Sequence, residues 1–97
     1  MTDAGPLIRI DKWLWQARFL KSRSLAADLV TAGRVRVNGQ PVAKPSRLVG
    51  PGDVLTFPQG NEIRVVRVLE CGTRRGPAPE AQALYREIVP GAPDPGT

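Results

Sequence analysis

The chain has 97 residues, 41% of them hydrophobic and 24% charged, with a formal net charge of +5, one cysteine and no histidine. A chain this short forms one domain and buries only about 60 to 65% of its unfolded surface, so the core must be small. Cys71 standing alone excludes an internal disulfide and a thiolate or imidazole metal cage. No apolar run reaches the ~20 residues that span a bilayer, and Met1 to Leu7 lacks the basic and apolar parts of a signal peptide, so a cytoplasmic protein without cofactor or membrane contact is expected.

Apolar residues at Ile10, Trp13, Leu14, Ala17 and Leu20 follow helical spacing and predict a first helix over 10–21, with Asp11 at its start as a cap or in its first turn. Residues 1–8 are expected to be a flexible N-terminus. Ser22 or Ser24 can cap a second helix, whose apolar stripe is Leu25, Ala26, Leu29 and Val30 and whose stop is Gly33. The period then changes to two: Val35 and Val37 share one face of a strand, Arg34 and Arg36 the other. Asn38-Gly39 is a hairpin turn that sends Gln40 to Ala43 back along that strand. Lys44 to Asp53 reads as a loop, Val54 to Phe57 as a strand, Gly60-Asn61 as a turn and the β-branched run Ile63 to Leu69 as a further strand. Gly72 to Pro79 has the composition of a linker, and Ala81, Leu84, Tyr85 and Ile88 recur at helical spacing behind it. Residues 89–97 are rich in proline and glycine and are expected to be a disordered tail.

Positive charge gathers in the first half. From Arg9 to Arg47 nine basic residues (Arg9, Lys12, Arg18, Lys21, Arg23, Arg34, Arg36, Lys44 and Arg47) face only Asp11 and Asp28. Such a concentration suits a phosphate-rich partner, because each neutralised phosphate releases condensed counterions; a solvated basic face is the plainer alternative.

The string Arg9-Ile10-Asp11-Lys12-Trp13-Leu14, then Lys21-Ser22-Arg23-Ser24-Leu25-Ala26, then Gly33-Arg34-Val35-Arg36-Val37-Asn38-Gly39, resembles the αL RNA-binding motif of the ribosomal-protein-S-four superfamily. The runs Trp13 to Phe19 and Arg75 to Tyr85 extend the likeness to the fifteen-kilodalton heat-shock RNA-binding protein family. The resemblance implies a domain of the S-four type over 9–71, followed by a linker and C-terminal helix over 72–88. It implies binding to ribosomal RNA of the large subunit holding an obstructed nascent chain and its tRNA, in stress recovery or ribosome quality control. That family usually carries a longer, basic C-terminal extension than Val89 to Thr97.

The fold class is read as α+β: a helix pair and a short third helix on a small antiparallel sheet. The candidate RNA-binding residues are Arg9, Asp11, Lys12, Arg18, Lys21, Ser22, Arg23, Ser24, Arg34, Arg36 and Asn38. Arginine's planar fork and the serine hydroxyls suit phosphate, and are expected to converge from both helices and the following strand. Arg9 reaches RNA or bonds Asp11, and Asp11 is a cap or an orienter of Arg9. Asn38 is first a turn residue. Trp13 and Tyr85 are read as core, Trp15 either stacks on a base or packs beneath the third helix, and Cys71 is a small buried apolar residue. Arg74 and Arg75 add phosphate contacts or keep the linker soluble. The chain is read as a monomer with no catalysis and no small-molecule substrate. Two rivals are an RNA-targeting module working with an RNA-modifying enzyme such as a pseudouridine synthase, and a basic dock for an acidic protein.

Overall fold

The computed structural model describes residues 6–88. Two helices and a third short one cover one face of an antiparallel five-stranded sheet, as the α+β reading expects. The first helix, α1, spans Ile10–Gln16 and buries Ile10, Trp13 and Leu14. It ends about a turn and a half before the expected position 21, because the chain closes on itself there. Arg18 takes a left-handed φ of 67°, its N–H reaches the Trp15 carbonyl at 3.1 Å, and the Phe19 N–H reaches Leu14 at 3.0 Å. Those two bonds form a Schellman stop with arginine where glycine is usual. The turn brings Phe19 back into the core, 4.8 Å from the Phe57 ring and 6.0 Å from Trp13.

Helix α2, Arg23–Thr31, starts at Ser22, whose hydroxyl accepts the Leu25 N–H at 3.1 Å. It ends in the same kind of stop at Gly33, where φ is +77° and the missing Cβ removes the strain. Strand β2, Val35–Val37, then pairs with β3, Gln40–Val42, across Asn38-Gly39, both with positive φ. β5, Val54–Gln59, and β6, Glu62–Val68, form the longest ladder, giving a sheet order β3-β2-β5-β6 with β7, Tyr85–Glu87, at the far edge. Val35, Val37, Leu55, Phe57, Val66 and Val68 point inward against the helices and are fully or almost fully buried.

Three expectations are corrected. Ile8, assigned to a flexible N-terminus, is buried in the two-residue strand β1, Ile8–Arg9, which pairs with β4, Leu48–Val49, inside the segment read as a loop. The expected C-terminal helix is only the short α3, Ala78–Gln82. Tyr85 leaves it to join β7 beside β6, because the open edge of β6 supplies backbone partners that another helical turn would leave unpaired. Glu87 grips Arg64 through two bonds of 2.7 Å and holds that guanidinium above its ordinary range. Residues 1–5 of the N-terminus expected to be flexible over 1–8, and the tail expected over 89–97, lie outside the described residues. Among the described residues, no helix is long and apolar enough to cross a membrane, and no group of three or more potential metal ligands gathers.

The 72–79 segment is no loose tether. Trp13 Nε1 donates to the Glu70 carbonyl at 2.9 Å, and the fully buried Gln16 donates to Cys71 at 2.9 Å. Arg18 Nε donates to Gly76 at 2.6 Å, while Arg75 bonds the Trp15 carbonyl at 3.0 Å and lies 5.7 Å from its ring centre. Trp15 is therefore half-buried beneath an arginine. Cys71 is buried as expected, and burial pushes its thiol up, with Asp53 adding to the effect.

Candidate nucleic-acid interface

Asp11 organises the helix side of the molecule. Its carboxylate is almost entirely buried, yet three groups meet it: Arg9 from β1 at 3.1 and 3.2 Å, Arg23 from α2 at 3.7 Å, and the Lys12 amide at 2.7 Å. The two arginine side chains stay 48% and 44% exposed, so they are held from behind while their outer nitrogens face solvent. A fork fixed in this way loses less freedom when it meets a planar or tetrahedral anion. Asp11 is an orienter, as one sequence reading had it, and of two arginines rather than one.

The first amides of α1 are not open to a ligand. Ile10 N–H donates to the Arg47 carbonyl at 2.8 Å and Asp11 N–H to Pro45 at 3.4 Å. These bonds bring the 44–47 loop against the Asp11 cluster, and with it Lys44 and Arg47, both exposed and both absent from the predicted site. Arg47 adjoins Leu48, the cross-strand partner of Arg9. Their positive charge was visible in the sequence, but the pairing of two-residue strands that places them was not.

The other predicted residues divide. Lys12 lies on α1 beside Asp11, and Lys21, Ser22 and Ser24 surround the start of α2, with the Ser22 hydroxyl committed to its cap. Lys12, Lys21, Arg34 and Lys44 form no ion pair among the described residues, so their charge is available. Arg34 sits at the exit of α2, its N–H bonded to Leu29. Asn38 is occupied at the hairpin, bonding Asp53 at 3.1 Å and the Val54 amide at 2.9 Å. Arg18 points to the C-terminal segment through its bond to Gly76. Arg36 alternates with the buried Val35 and Val37 and so lies on the sheet face away from the helices. The structure therefore brings together Arg9, Asp11 and Arg23 with their neighbours, but not Arg18 or Arg36.

Arg18→Ala is expected to release the 72–77 segment. Trypsin should cut after Arg74 and Arg75 faster than in the parent, whereas equal cleavage rates would show that the Gly76 bond restrains nothing.

The S4 domain family pattern matches residues 8–55. An RQC P-site tRNA stabilizing factor from Bacillus subtilis is 41% identical over 82 residues, a match covering 82% of this chain and 94% of that protein. The chain belongs to the S4-domain family. This S4-domain protein is also 48% identical over 82 residues to heat shock protein 15 from Escherichia coli strain K12; the match covers 84% of the chain but only 61% of that relative. The chain thus spans about three fifths of the heat-shock relatives it matches. A solved trimeric structure of heat shock protein 15 from Vibrio cholerae superposes with a TM-score of 0.80 at 47% identity, covering 86% of this chain and 83% of that one. The S4 match ends at residue 55, within β5, so β6, α3 and β7 lie beyond it.

Proposed function

We propose that this S4-domain chain binds structured ribosomal RNA of the large subunit, beside a tRNA, and serves ribosome quality control in the cytoplasm without performing catalysis. The observation that carries this reading is the pair Arg9 and Arg23 set on one buried carboxylate, with the 44–47 loop and its Lys44 and Arg47 bonded against the same helix start. The names of the similar proteins support the partner: one is a P-site tRNA stabilizing factor and another a heat shock protein.

Arg9 and Arg23 present forks to backbone phosphates, Lys12 and Lys21 add charge next to them in the chain, and Arg34 adds charge at the other end of α2. Contacts of this kind read the shape of a folded RNA rather than its base sequence. If these five groups each neutralise one phosphate, log K falls against log salt with a slope of about −3.5 on single strands to about −4.5 on duplex.

The test is sedimentation of tagged protein with purified small subunits, empty large subunits, and large subunits holding a blocked nascent chain and tRNA. The parent is expected to travel with the last of these. The double variant Arg9→Ala with Arg23→Ala is expected to stay at the top of the gradient while melting like a folded protein. Undiminished co-migration of that variant would remove the helix-side site, and co-migration with small subunits alone would remove the large-subunit assignment. The same runs give the chain's own assembly state, expected from sequence to be monomeric but trimeric in the Vibrio relative's structure.

A further inference from the structure

Arg36 opens onto a second surface. Residues paired across neighbouring strands share a face, and the register places Arg36 opposite Thr56, Thr56 opposite Val65, Val54 opposite Arg67, and Arg67 opposite Arg86. All of them lie on the side of the five-stranded sheet turned away from the helices. Three are arginines, and among the described strand residues none on this face is a carboxylate. Glu62 and Glu87 fall on the alternate phase, Glu87 gripping Arg64 there.

Two further observations concern Arg36 and Arg67. Arg36 is exposed, and its side chain forms no hydrogen bond or ion pair among the described residues. Arg67 is half-buried, and its Nε is shielded from water with no acceptor. From Arg36 on β2 to Arg86 on β7 the row crosses four neighbouring strands, about 14 Å at about 4.8 Å per step.

We infer that this outer sheet face is a second RNA-backbone site, so that the chain holds two RNA segments at once, one on each side of its sheet. The identity of the partner rests on the reading under Proposed function; the existence of the site rests on the register and on Arg36 and Arg67. Charge decides the kind of partner: a face that carries Arg36 and Arg67 and, among the described strand residues, no carboxylate complements phosphate, whereas a second copy of the chain would bring a net charge of +5 toward it. The described strand residues place no aromatic side chain there, so the contact reads phosphates and riboses rather than stacking bases.

The probe is a short ribosomal RNA hairpin, and the readouts are sedimentation velocity of labelled RNA with the full chain and the salt dependence of binding. The parent is expected to carry two hairpins per chain. Arg36→Glu, and separately Arg36→Gln with Arg67→Gln, are expected to carry one, and the glutamine pair to flatten the log–log salt slope by about one unit for each arginine removed. Arg9→Ala with Arg23→Ala is expected to keep the hairpin on the sheet. One hairpin on the parent, with stoichiometry and slope unchanged in the sheet variants, overturns the second site and leaves the helix-side reading intact. Two hairpins retained by Arg9→Ala with Arg23→Ala overturns the helix-side reading, while loss of one in Arg36→Glu upholds the sheet site. A change in the protein's own mass in Arg36→Glu, with RNA binding unaltered, would assign the face to contacts between copies and overturn the inference. Arg36 is exposed, so the single variant remains informative if the Arg67 change disturbs folding.

Discussion

Trp13→Ala is expected to abolish a stable fold at ordinary temperature. The side chain has no exposed surface, and it sits where α1, the Phe19 turn and β7 meet, its ring 6.0 Å from Phe19 and 6.4 Å from Tyr85. Truncating a buried tryptophan costs about 3–5 kcal/mol, and a domain of this size has only about 5–15 kcal/mol in total, with small cores at the low end. The Glu70 carbonyl would also lose the indole N–H that satisfies it. Trp13→Phe helps to separate these effects, since it keeps most of the packing while giving up the hydrogen bond, worth about 1 kcal/mol, and part of the ring volume. Thermal melts followed by circular dichroism give the answer. The phenylalanine variant should melt cooperatively at a modestly lower midpoint, and the alanine variant should show little or no cooperative transition. An alanine variant melting within about 4 °C of the parent, the shift expected for only about 1 kcal/mol, would mean that Trp13 is not the keystone its burial indicates.

The sequence made much of this frame legible through local chemistry. The stripe Ile10, Trp13, Leu14, the Ser22 cap, the Gly33 stop and the Asn38-Gly39 turn each depend on neighbours within a few positions, and each is found where expected. The failures have long-range causes. β1 and β4 are two residues each, too short to show a period, and exist because each satisfies the other's backbone. Tyr85 and Ile88 fit a helical spacing, but the unpaired edge of β6 outweighs that weak preference. Arg18 halts a helix without glycine, a stop fixed by the return of Phe19 to the core rather than by propensity.

The candidate site divides along the same line. Arg9 and Asp11 are near neighbours and their bond was readable, but the link to Arg23 crosses from one helix to the next and depends on how the two pack. Arg36 is a different case. Alternation with Val35 and Val37 already put it opposite the core, and a core covered by helices leaves such a residue on the far side from them.

Asp11→Asn is expected to weaken RNA binding even though it removes a negative charge from a surface that meets phosphate. Two effects oppose each other. Simple electrostatics favours the variant: one charge removed about 10 Å from a phosphate is worth under about 0.5 kcal/mol in water, and salt screens part of that. Positioning favours the parent, because without the carboxylate the Arg9 and Arg23 forks swing freely and must be immobilised anew on binding, at about 0.5–1.5 kcal/mol for each side chain. Positioning wins by about 0.5–2.5 kcal/mol, which is about two- to seventyfold in affinity. Asparagine has the shape of aspartate and one oxygen left for the Lys12 amide, so the fold should persist, and a melt checks that it does. Asp28→Asn, an exposed change on α2 away from any ion pair among the described residues, is the control for charge alone and should bind as tightly as the parent or slightly more so. Titration of a labelled ribosomal RNA hairpin at one salt concentration decides the matter. If Asp11→Asn matches or exceeds Asp28→Asn while remaining folded, the carboxylate does not preset the arginines, and the helix-side surface is only a sum of charges.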